Sequence, residues 1–196
     1  VARRLPTALV AASEEPSAVR EVQDEFRGPV FRLYGSSDVV GVEIGAALKN
    51  IIAIAAGVVE SLGLGHNAMS ALITRGLAEI SRLSCAMGGQ RETLAGLSGL
   101  GDLVLTCTGA LSRNRQVGVE LGRGRSLEDV LSGMRMVAEG VRTTSAAVSL
   151  GQRHGVELPI VGQVAEVLAG RQTPREAVAS LMLRPQRGEQ DSWNCP

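Results

Sequence analysis

From Ile44 to Val59 every position is apolar or glycine except Lys49 and Asn50. A segment that is apolar on all sides predicts a buried central helix, from about Asp38 to Ser61, with Gly63-Leu-Gly ending it. A lysine inside such a helix pairs, snorkels or loses its proton, because an ammonium without a partner is costly in apolar surroundings. The pattern leaves two readings of Lys49 open: a solvent-edge residue on a packed helix, or part of a site.

Upstream, Thr7 to Ala12 is an apolar run of strand length, Glu14 to Phe26 has helical composition, and Val30 to Tyr34 reads as a second strand. This β-α-β unit is too small to bury its own sheet faces, so it is expected to be the end of a larger α/β domain. Gly35 to Asp38 supplies the punctuation and the N-cap side chains, which places a boundary there. The expected fold is mainly α: an incomplete β-α-β over residues 1–37, an all-helical domain over 38–184 and a frayed tail over 185–196.

Within the helical part, Asn67 is expected to cap a second helix with Met69, Ile73, Gly76, Ile80, Leu83 and Met87 on one face, closed by Gly88-Gly89. Arg75, Glu79 and Arg82 fall on its other side and read as a solvated charged stripe. Ser126 with Asp129 starts another helix, Pro159 stands near the start of one ending at Gly170, and Thr173-Pro174 with Glu176 caps the last.

The composition, 44% hydrophobic and 20% charged, is that of an ordinary globular protein. Its formal net charge is zero with no polybasic run, and its aromatics are limited to Phe26, Phe31, Tyr34 and Trp193, so no nucleic-acid partner is indicated. Cys85, Cys107 and Cys195 lack CxxC spacing, which argues against a disulfide framework or zinc site and favours a reducing cytoplasm. His66 and His154 have no ligand-like neighbours, so no metal is expected. The longest apolar run, Ile51 to Val59, falls short of the ~20 residues of a membrane helix. Residues 1–13, with Arg3-Arg4 ahead of an apolar stretch, read better as a strand than as a signal peptide, and the absence of an initiating Met suggests the later part of something longer.

Two polar clusters lie between the helices. In Leu97-Ser-Gly-Leu-Gly-Asp-Leu-Val-Leu-Thr-Cys-Thr, Gly99 and Gly101 permit close backbone approach and set Asp102 just ahead of an apolar run. In Ser112-Arg-Asn-Arg, Ser112 is a natural N-cap, so the following amides and the Arg113 guanidinium could converge on an anion. Asp102 reads equally as a helix cap, and Ser112 to Arg115 as a charged helix start. Together with Lys49 they make a small phosphorylated substrate plausible.

Gly45-Ala-Ala-Leu-Lys-Asn-Ile-Ile-Ala-Ile-Ala-Ala-Gly, Ala71-Leu-Ile-Thr-Arg-Gly-Leu-Ala-Glu-Ile, Gly99-Leu-Gly-Asp-Leu-Val-Leu-Thr-Cys-Thr, Ser112-Arg-Asn-Arg and Ala138-Glu-Gly occur in that order. Together they resemble the bacterial type of NAD(P)-dependent glycerol-3-phosphate dehydrogenase, from about Leu5 to Arg184. The resemblance implies a C-terminal helical domain similar to that of 6-phosphogluconate dehydrogenase, preceded by the last β-α-β of a Rossmann domain. It implies Lys49 as the proton-transferring lysine with Asn50 beside it on the substrate. It implies that Asp102 and Thr106 line the glycerol end and orient the lysine. It further implies that Ser112, Arg113 and Asn114 bind substrate and that Arg113, Val137 and Glu139 touch the cofactor, NAD or NADP. Further substrate residues, including a second lysine, and a Gly-Pro-Ser motif are implied upstream of Val1, and no G-x-G-x-x-G follows either strand here.

The implied activity interconverts sn-glycerol 3-phosphate and dihydroxyacetone phosphate in a cytoplasmic homodimer and supplies glycerol phosphate for phospholipid synthesis. A lysine suits both directions if burial draws it toward working pH, whereas Asp102 favours its charged form. Two alternatives stay open: a non-catalytic helical module for dimerisation or ligand binding, or a related two-domain dehydrogenase of hydroxy acids. The choice between NAD and NADP is not legible in these residues.

Overall fold

The computed structural model describes residues 3–134, 138–186 and 188–189. Strand β1 (Thr7–Ala12), helix α1 (Pro16–Glu25) and strand β2 (Phe31–Ser36) come first. The strands pair in parallel from Thr7 opposite Phe31 to Ala12 opposite Ser36, with α1 as the crossover a parallel pair requires. Gly35 and Ser36, expected as punctuation, are the end of β2, and the break falls at Ser37. As expected of so small a sheet, Leu9, Val22, Phe26 and Tyr34 remain exposed.

The remainder is helical: α2 (Val39–Ser61), α3 (Gly65–Ala86), α4 (Arg91–Ala95), a π-helical turn (Leu97–Gly101), α5 (Asp102–Thr108), α6 (Arg113–Gly122), α7 (Leu127–Ser132), α8 (Glu139–Arg153), α9 (Pro159–Leu168) and α10 (Pro174–Met182). The mainly helical class read from the sequence holds. Arg187 and residues 190–196 of the expected tail, with Trp193 and Cys195, lie outside the described residues.

Helix α2 is the axis of the core. Asp38 caps it, accepting from the Gly41 amide at 2.8 Å through one oxygen and from the Gln90 amide at 2.8 Å through the other. Burial alone would raise this carboxyl, but hydrogen bonds from the Thr93 hydroxyl and the Gln90 and Gly41 amides outweigh it and hold the group below its ordinary value. Leu48, Ile51, Ile52, Ala53, Ile54 and Ala56 are buried, and α3, α4, α5, α6, α8 and α9 all touch the helix. By length and hydropathy α2 could cross a bilayer; here it forms the centre of a helical core.

The closest crossing is between α2 and α6. A Cβ on Gly57 would lie 2.0 Å from the Arg115 carbonyl, and one on Gly118 would lie 1.8 Å from the Ile54 carbonyl. Only glycine at both positions lets the backbones meet, and this contact lays the start of α6 over the Lys49 half of α2.

Helix α3 departs from expectation in three ways. It begins at Gly65 after Leu64, so Asn67 lies inside it and caps nothing. Its later half is enclosed rather than one-sided, with Gly76 to Ser81 all buried. Glu79, expected in a solvated stripe, is only 3% exposed, and its carboxylate accepts from the amides of Ile160 at 2.7 Å and Val161 at 3.2 Å. The N-cap of α9 is Leu158, which offers no side-chain hydrogen bond, so Glu79 of α3 supplies it. Cys107 is a free buried thiol.

Candidate functional site

Lys49 and Asp102 are brought together from α2 and α5. The ammonium donates to the Asp102 carboxylate, and the side chains are 20% and 31% exposed. Lys49 is therefore a paired, partly exposed group at the edge of the core. Asp102 is the first residue of α5 and caps no helix; Gly101 precedes it without a side-chain cap. Thr106, one turn on, donates its hydroxyl to the Asp102 carbonyl at 2.6 Å and lies 3.4 Å from its carboxylate.

A second set of contacts joins α2, α6 and α8. The Asn114 amide nitrogen donates to the Asn50 side-chain oxygen at 2.9 Å, and the Asn114 oxygen accepts from the Gly140 amide at 2.9 Å. Asn50 in turn donates to the Ala46 carbonyl at 3.2 Å. Each carboxamide keeps one further N–H for another partner. The chain of bonds fixes the first turn of α8, and hence Glu139, against α2.

Ser112 caps α6 as expected, its hydroxyl accepting from the Arg115 amide at 3.3 Å. The two arginines of the motif differ in a way the sequence does not show. Arg115 is committed to Glu60, with an N–O separation of 2.8 Å. Arg113 pairs with no carboxylate among the described residues.

Asn50, Thr106, Ser112, Arg113, Asn114 and Glu139 line one cleft of about 430 Å³, with Leu105 and Leu111 at its mouth. That volume is in the range of small-ligand sites. The Lys49–Asp102 pair adjoins this cleft through its neighbours Asn50 and Thr106 and is not itself among the lining residues. Val137 lies outside the described residues. The sequence reading missed one signal: Lys49 is the sole lysine of the chain, every other strongly basic side chain being arginine. Cys107 lies beside the site on α5, but burial pushes its thiol up to about 12, so it is a packing group rather than a nucleophile.

The cleft and its edge thus bring together a paired lysine, a guanidinium at a helix start with no carboxylate partner among the described residues, and a ring of amide and hydroxyl groups. The family description NAD-dependent glycerol-3-phosphate dehydrogenase C-terminus matches residues 38–179, which contain every one of these groups. The chain belongs to this family. Among glycerol-3-phosphate dehydrogenases (NAD(P)+), it is 59% identical over 191 residues to that of Syntrophotalea carbinolica, covering 97% of this chain and 57% of that protein. It is 64% identical over 132 residues to that of Koribacter versatilis, covering 67% of this chain and 39% of the relative. The crystal structure of the dehydrogenase from Coxiella burnetii superposes with a TM-score of 0.90 at 43% identity, over 93% of this chain and 56% of that one. The Dunaliella salina enzyme shares the fold, with a TM-score of 0.84 at 22% identity. The chain thus spans about half the length, or less, of the dehydrogenases it matches.

Proposed function

We infer that this chain is the substrate-handling part of an NAD(P)-dependent dehydrogenase that interconverts sn-glycerol 3-phosphate and dihydroxyacetone phosphate. The observation that carries this reading is the Lys49–Asp102 pair beside a cleft that holds Arg113, which has no carboxylate partner among the described residues. A ketone reduced to a secondary alcohol needs a proton at the carbonyl oxygen. The Lys49 ammonium donates it, and in the opposite direction the amine takes the hydroxyl proton. Asp102 holds the lysine in place, with Thr106 hydrogen-bonded to its backbone.

The phosphate falls to Arg113 and the first amides of α6, where a guanidinium and a helix N-terminus act on the same oxygens. Anchoring that end fixes the reacting carbon relative to Lys49. Asn50 and Asn114 contribute their remaining N–H groups to substrate. The residues present also fit one edge of a dinucleotide: Arg113 suits a phosphate oxygen, and the exposed Glu139 carboxylate suits an amide or hydroxyl donor. When bound, the nicotinamide supplies or accepts the hydride.

A division into residues 1–37 and 38–184, a cytoplasmic homodimer and supply of glycerol phosphate for phospholipid synthesis belong to the same reading and rest on the family resemblance. The test is oxidation of NADH and NADPH by the dehydrogenase that contains this segment, offered dihydroxyacetone phosphate or a panel of keto acids. Turnover confined to dihydroxyacetone phosphate is expected; preference for a keto acid would overturn the reading.

A further inference from the structure

Asp102 reaches Lys49 from the end of a turn that is not α-helical. Leu97–Gly101 is a π-helical turn, closed by a hydrogen bond from the Gly101 amide to the Gly96 carbonyl at 3.1 Å, five residues back. Such turns insert one residue into a helical path and re-aim the side chains beyond it. Here the turn runs directly into α5, whose first residue is Asp102.

Two glycines make room for it. A Cβ on Gly99 would lie 2.1 Å from the Leu94 carbonyl oxygen, so the turn can close on α4 only with glycine there. A Cβ on Gly45 would lie 2.9 Å from the Ser98 carbonyl oxygen and 3.2 Å from a Leu94 methyl. Gly45 stands one helical turn before Lys49 on the same side of α2. The bare backbone of α2 therefore meets the π-turn just beside the point where the two helices exchange their ion pair. The turn also touches β1, so it is held from two directions.

We propose that Gly45 is a positioning residue for the Lys49–Asp102 pair: its missing side chain lets the Ser98 carbonyl lie against α2, and that separation sets the reach of the Asp102 carboxylate to the ammonium. Asp102 has the shortest acidic side chain, so it tolerates little change in backbone spacing. Adding one methyl at Gly45 pushes the π-turn outward and takes the carboxylate away from Lys49. The proposal rests on the dehydrogenase reading for the importance of the pair, but its geometry stands apart from turnover.

The test exploits Lys49 being the sole lysine of the chain. The rate at which an amine-acylating ester modifies Lys49, read by peptide mass mapping to separate it from the N-terminal amine, reports whether the ammonium is paired. Gly45→Ala is expected to raise that rate at least about threefold, and Gly45→Val further, as the pair loosens. Asp102→Glu in the Gly45→Ala background restores the slow rate, because the extra methylene spans the wider gap. A chain that was merely destabilised would not be rescued this way. Gly162→Ala, on α9 with open space around it, serves as a control and leaves the rate unchanged.

An unchanged rate in Gly45→Ala, or a double variant as reactive as Gly45→Ala, would overturn the proposal. Should Gly45→Ala fail to fold, Asp102→Glu alone decides: its longer carboxylate does not fit the unwidened gap and raises the rate, whereas a rate equal to that of the parent chain rules the proposal out. None of these readings uses dehydrogenase activity, so an inactive chain leaves the result interpretable.

Discussion

Glu79 on α3 accepts the Ile160 amide of α9 at 2.7 Å, so one helix is capped by the side chain of another. The carboxyl is enclosed, and burial pushes it up to about 7 although the Ile160 and Val161 amides, Arg82 and Arg184 all favour its charged form. The native state therefore keeps a proton that the unfolded chain, near its ordinary value of 4.5, has already released. Stability from this group is fully present below that value and is lost as pH rises through about 7. Denaturant unfolding of this chain is expected to weaken by about 3 kcal/mol over that window. Glu79→Gln removes the slope; an identical slope in that variant would contradict the role given to Glu79.

Gly118→Ala tests the crossing that lays α6 over α2. Its Cβ would meet the Ile54 carbonyl at 1.8 Å, so the helices must separate. Overpacking of this kind costs about 2 to 3 kcal/mol, to be read from the denaturant midpoint. Because α6 carries Ser112, Arg113 and Asn114, weaker substrate binding is expected with it.

Asn114→Ala breaks two bonds at once, to Asn50 and to the Gly140 amide, and leaves buried groups without partners. A loss of about 2 kcal/mol is expected. Asn114→Asp is expected to do as badly, since a carboxylate oxygen then faces the Asn50 oxygen. Asn50 does not turn round to help, because its nitrogen is held by Ala46. Full stability in the Asp variant would show that the link does not hold α8 in place.

How much was legible in the sequence depends on the reach of each signal. Local chemistry read well: Asp38, Ser112, Ser126 and Thr173 all cap where expected, since a cap depends on residues three or four positions away. The all-round apolar pattern of α2 marked the core axis for the same reason. Charge spacing on α3 placed Glu79 on a polar face, but only the landing of α9 on that face buries it. Likewise the motif flagged Asp102, and the π-turn that carries it past a capping position to Lys49 depends on contact with Gly45 from another helix. The difference between Arg113 and Arg115 was hidden because Glu60, far along the chain, decides it.

That difference supplies its own test. Arg113→Ala is expected to raise KM for dihydroxyacetone phosphate by roughly 10- to 100-fold, the worth of a charge-assisted hydrogen bond. Arg115→Ala, which frees Glu60, is expected to change it by no more than about threefold. The reverse order in steady-state kinetics would assign the phosphate to Arg115.

The most direct measurement is the turnover number of Lys49→Ala for dihydroxyacetone phosphate reduction, in the dehydrogenase that contains this segment. With Lys49 as the proton donor, kcat is expected to fall by about 100-fold or more while KM changes by less than about tenfold. A kcat within a few fold of the parent enzyme would contradict the account.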